Sequence, residues 1–83
     1  MPVSSEQDRA VATAASLAVK LVQAGAPPQA HSVWLRTTVD ESQQSFIYTV
    51  MVSKNPKWKG KFDVPTEHNG FKVEHAPWPQ AML

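Results

Sequence analysis

The sequence predicts an α+β domain: one N-terminal helix packed on a three-stranded antiparallel sheet, and a chain that forms dimers. Three observations predict it. Apolar residues recur every three to four positions up to Gly25, and alternate every second position after Pro28. Gly25 and Pro27-Pro28 separate the two rhythms.

The helix is expected over residues 4–24. Ser4 followed by Gln7, or Ser5 followed by Asp8, offers a hydroxyl to an orphan amide at the N-terminus. Glu6 and Asp8 place negative charge in the first turn, where the helix dipole favours it. Arg9, Thr13, Ser16, Lys20 and Gln23 trace a polar stripe. Ala10, Val11, Ala14, Leu17, Ala18, Leu21 and Val22 cover the other side, and its many alanines allow close approach to a sheet. Gly25 suits the left-handed residue after the helix, and Pro27-Pro28 prevents continuation.

Strands are expected at 31–39, 45–53 and 71–75. In the first, His31, Val33, Leu35, Thr37 and Val39 share one face; Ser32, Trp34, Arg36 and Thr38 share the other. Residues 40–44 are a polar turn of hairpin length. The second strand carries apolar groups on both faces, as a central strand does. Residues 54–65 read as a loop, with a short extended piece near 61–64. Asn69-Gly70 supplies positive φ for a tight turn before the last strand.

Composition narrows the function. A chain of 83 residues makes one domain, with 1–3 and 79–83 as loose ends. Its core is modest, so a deep enclosed active site needs two chains. The absence of cysteine removes disulfides, thiolate metal sites and thiol nucleophiles, and accords with a cytoplasmic setting. The start lacks a basic segment followed by an apolar one, and the stretch 10–24 is interrupted by polar residues, so neither a signal peptide nor a membrane span is expected. A net charge of +1 does not announce a nucleic-acid protein.

Four groups of residues merit attention for chemistry. Lys54, Lys57, Lys59 and Lys61 fall in one loop with Trp58, as a phosphate contact with a stacking platform would require. A solvated loop whose aromatics fold back on the body explains the same residues. His31, Tyr48 and His75 with the aromatic set could line a pocket, either for a small molecule or for an enzymatic site shared between subunits. The three histidines lack metal-ligand spacing: Glu74 and His75 are neighbours on a strand and face opposite ways. No serine lies in a glycine-framed elbow, and the three glycines are too far apart to cradle phosphate, so neither a catalytic residue nor a cofactor is expected.

The remaining group is Trp34, Arg36 and Met51, on the sheet face opposite the helix. A bare, partly aromatic face calls for a partner. The expected function is therefore a non-catalytic interaction protein that self-associates through an uncovered sheet face or edge. Its size and lack of catalytic motifs associate it with small bacterial accessory proteins. Nucleic-acid binding at 54–62 is the alternative, and a pocket at a dimer interface the second alternative.

Overall fold

The computed structural model describes residues 5–82, so of the ends expected to be loose, 1–3 and 83 lie outside the described residues. Helix α1 spans Glu6–Gln23. Strands β1 (His31–Asp40), β2 (Ser45–Lys54), β3 (Glu67–His68) and β4 (Phe71–His75) follow it. Single turns of 3₁₀ helix occupy Pro28–Ala30 and Gln80–Met82.

Ser5 is the N-cap, and its hydroxyl accepts from the Asp8 amide at 3.1 Å. Gly25 takes φ +102° just past the helix, and the Ala26 amide returns to the Leu21 carbonyl at 2.9 Å. The buried arc runs through Ala10, Thr13, Leu17 and Leu21. Thr13 was expected in the polar stripe, and Val11 and Val22 on the apolar side; the structure reverses them, with Thr13 buried and both valines exposed. At 3.6 residues per turn Thr13 lies about 40° from Leu17 around the axis, while Val11 and Val22 lie about 120–140° away. One sheet face covers only the narrower arc.

The sheet has four strands in the order β1-β2-β4-β3, where three were expected. It is also mixed rather than antiparallel. β1 and β2 pair antiparallel, β3 and β4 pair antiparallel, but β2 and β4 run parallel. The cause is the connection. Twelve residues separate Lys54 from Glu67, enough to bring the chain back along the sheet before β4 begins. Phe62 is buried on that return path. The added strand β3 is the first arm of a hairpin whose two-residue turn, Asn69 at φ 50° and Gly70 at φ 84°, has the positive dihedrals of a type I′ turn.

Register assigns the faces. Val33 lies opposite Val52, Leu35 opposite Val50, and Val50 opposite Val73. These residues form the core with Leu17, Leu21, Phe62 and Phe71, so α1 covers the face that also carries His31, Thr37 and Val39. On the second face the rows run Trp34–Met51–Glu74 and Ser32–Ser53. The tail turns over the end of this second face, because the buried Ser53 hydroxyl donates to the carbonyls of Ala76 and Pro77, each at 3.0 Å.

The candidate interaction surface

The three residues expected to meet a partner share one face but not one exposure. Met51 is only 6% exposed, Trp34 is half-buried, and Arg36 is exposed. Arg36 is also engaged: its guanidinium reaches Glu74 at 2.6 Å, and Lys72 meets the other oxygen of Glu74 at 3.0 Å. These side chains lie over β2 between β1 and β4. The second face is thus partly roofed by its own chain, by an ion cluster in the middle and the tail at one end.

Exposed apolar surface lies elsewhere. Val39 is 62% exposed, Phe46 58% and Ile47 47%. All three sit at the distal end of the β1–β2 hairpin. Each hairpin strand is ten residues long, whereas β4 has five and aligns with Val50–Val52. Val11, Val19 and Val22 are exposed along the outer flank of α1. Sequence reading missed both patches. The available signal was length: two strands of about 33 Å cannot be covered along their whole run by one helix of about 27 Å and a five-residue strand.

Two of the concave regions that border the hairpin lie against α1. An open cleft of about 960 Å³ lies between the first half of α1, the distal hairpin and the Asn69-Gly70 turn; Arg9, Phe46, Tyr48, Phe71 and Lys72 line it. Arg9 stands over the Phe71 ring at 5.7 Å. A shallower groove of about 350 Å³ runs between the α1 flank and β1, lined by Ala18, Val19, Val22, Pro28, His31 and Val33.

β1 is an edge strand, and the hydrogen bonds show which of its groups are free. The Asn55 amide donates to the Ala30 carbonyl at 2.9 Å, so residues 30, 32, 34, 36, 38 and 40 direct their backbone groups toward β2. Consistently, Val52, which lies opposite Val33, gives its carbonyl to the Ala76 amide on the far side. His31, Val33, Leu35, Thr37 and Val39 therefore point their N–H and C=O groups outward. The strand has no proline, glycine or lysine, and its pairing with β2 is unbroken from His31↔Lys54 to Asp40↔Ser45. Natural sheets usually blunt an exposed edge with such residues or with a bulge. The opposite edge is blunted: β3 has two residues and follows Pro65.

The lysine loop is tied to the body. Lys54 donates to the Phe62 carbonyl at 3.0 Å and stands 4.9 Å from the centre of the Phe62 ring. Trp58 packs against the core, and its indole lies so close to Gly60 that an added Cβ would come within 2.7 Å of Nε1. Lys57, Lys59 and Lys61 remain exposed. Both loop aromatics thus pack toward the body, Phe62 buried and Trp58 partly so.

His31, Tyr48 and His75 share the helix-side face but are not brought together. His31 borders the groove beside β1, and Tyr48 lines the large cleft. His75 lies opposite Val52, four residues from Tyr48, a separation of about 13 Å along the strand. The His31 ring is buried and packs edge-on against Phe62, with centroids 6.0 Å apart. Burial lowers its pKa, and its Nδ1 has no hydrogen-bond partner among the described residues. Among the described residues no group of three or more His, Asp or Glu side chains is placed to hold a metal ion. No helix among them is long and apolar enough to cross a membrane. Comparison with family models, with curated proteins and with solved structures gives no match for this chain.

Proposed function

We propose that the protein is a non-catalytic interaction module that docks an extended strand along the free edge of β1. One observation carries this reading: a ten-residue edge strand, without proline, glycine, lysine or a bulge, whose outward N–H and C=O groups lie beside an apolar groove. Backbone groups at a sheet edge are satisfied most fully by another strand, and apolar pockets for alternate side chains give such docking its selectivity. A nucleic-acid contact at Lys57, Lys59 and Lys61 is the weaker reading, because Trp58 and Phe62 are folded onto the body.

The test is a strand-addition titration. A synthetic peptide of residues 31–40 is added to isotope-labelled protein, and backbone amide shifts are followed. The expected result is saturable movement of the Val33, Leu35 and Thr37 amides, with the Trp34 and Arg36 amides, which face β2, moving less. Shifts confined to the lysine loop or the large cleft would refute docking at this edge.

A further inference from the structure

Resting on that reading, we infer that the strand docked on β1 is β1 of a second copy, paired antiparallel about a two-fold axis at Leu35. Three features of the strand and its surroundings choose this occupant and this register.

The first is the hydrogen-bond ladder. The outward-facing residues are His31, Val33, Leu35, Thr37 and Val39, and this set is symmetric about Leu35. A two-fold there pairs Leu35 with itself, Val33 with Thr37 and His31 with Val39. All five residues then use both backbone groups, so ten interchain hydrogen bonds can form from five N–H and five C=O groups on each strand. Moving the axis to Trp34 or Arg36 leaves an outward residue of β1 without a counterpart in the other β1.

The second is charge. An axis at Arg36 would set two guanidinium groups directly opposite one another, which a sheet disfavours. The axis at Leu35 instead places each Arg36 opposite the partner's Trp34 on the second face. A guanidinium beside an indole is a favourable pairing. Arg36 would keep Glu74 on its inner side, where the two already meet.

The third is shape. Val39 is the most exposed of the large apolar residues among those described. In the chosen register it lies opposite His31 of the other copy, on the helix side of the sheet. That position borders the groove formed by Ala18, Val19, Val22, Pro28, His31 and Val33. The exposed knob and the unfilled groove sit at opposite ends of one strand, and the two-fold brings each to the other twice. Such self-complementarity is what an isologous interface requires. The assembled sheet would run β3-β4-β2-β1-β1-β2-β4-β3, with the short β3 at each end.

The experiment measures assembly and register separately. Sedimentation velocity over a wide concentration range should show a monomer–dimer equilibrium. Val39→Lys, at a residue already exposed in the single chain, should raise the dissociation constant about tenfold or more by placing a charge in an apolar groove. Its circular dichroism and melting should match a monomeric sample of the parent. Register is read without substitution. Equal parts of labelled and unlabelled protein are mixed, and isotope-filtered spectra should show interchain contacts from the Val39 methyls to those of Val19 or Val22. A dimer lacking these contacts, or one indifferent to Val39→Lys, overturns the inference, as does a chain that stays monomeric at millimolar concentration. Peptide-induced shifts without a dimer would leave edge docking standing and remove the second copy. Neither shifts nor a dimer would end both.

Discussion

Arg36 and Glu74 meet at 2.6 Å across the whole width of β2, joining two strands that are not neighbours. The contact spans the row that holds Thr49 and Met51, both buried. It explains why a face that should look bare from its sequence is partly closed.

The same cluster sets an acid limb. Lys72, by hydrogen bonding, and then Arg36 hold the Glu74 carboxyl below its ordinary value of 4.5. A carboxylate depressed in the folded state contributes stability above its unfolded pKa and loses it as pH falls through the folded one. Melting temperatures of the parent should therefore fall more steeply below about pH 4.5 than those of Glu74→Gln. By carboxyl NMR, Lys72→Met and Arg36→Met should each raise the Glu74 pKa. Parallel acid limbs in the parent and Glu74→Gln would refute the prediction.

His31 should act in the next window up. Its imidazole is only 7% exposed, and burial lowers its pKa below the ordinary 6.5. The unfolded chain takes up the proton near 6.5 while the folded chain resists it. Stability is thus complete above 6.5 and declines as pH falls toward the folded pKa. His31→Phe keeps an aromatic against Phe62 and removes the unpartnered Nδ1. Its melting temperature should change less than the parent's between pH 7.5 and pH 5.5. An equal drop in both proteins would show that His31 does not carry this limb.

What could be read in advance follows the range of the forces involved. The Ser5 cap, the stop at Gly25 and the Asn69-Gly70 turn are local events between near neighbours, and the sequence displays them directly. Alternation also identified which residues of β1 share a face. Strand direction is another matter, since a two-residue period looks the same read either way. The parallel placement of β4 beside β2 depends on where a twelve-residue connection goes, which no local pattern records. Glu67–His68 is too short to show a period at all. Trp34, Arg36 and Met51 were correctly placed on one face, but the ion pair and the tail that cover part of it come from residues 38 or more positions from Arg36. The free edge was legible only as a general expectation, because edge and centre depend on strand order.

Ser53 anchors the C-terminal tail. It is fully buried, and its single hydroxyl proton is shared between the carbonyls of Ala76 and Pro77. Ser53→Ala leaves both without that donor and should cost about 1–2 kcal/mol in denaturant unfolding. The loss should be local in its first effect. Limited proteolysis within residues 77–82 should speed up several-fold under conditions where the parent is intact, while cleavage in the lysine loop stays unchanged. Uniform sensitisation of both segments would mean that the hydroxyl serves the whole fold rather than the tail.

The arc of α1 that faces the sheet can be measured with two truncations. Leu17 is fully buried against the core, and Val11, six residues earlier on the other flank, is exposed. Leu17→Ala removes apolar volume where the surroundings are packed and should cost about 2–5 kcal/mol. Val11→Ala removes surface already in water, and alanine is the better helix former, so its effect should stay within about 0.5 kcal/mol. Thr13 decides between the two arrangements of the helix. Because it is buried, Thr13→Lys should destabilise the domain strongly, by placing an unpaired ammonium against the sheet. If the helix instead lay with Val11 and Val22 inward, Val11→Lys would be the damaging change and Thr13→Lys would be tolerated. Urea unfolding of both lysine variants, compared with Leu17→Ala, separates these orientations.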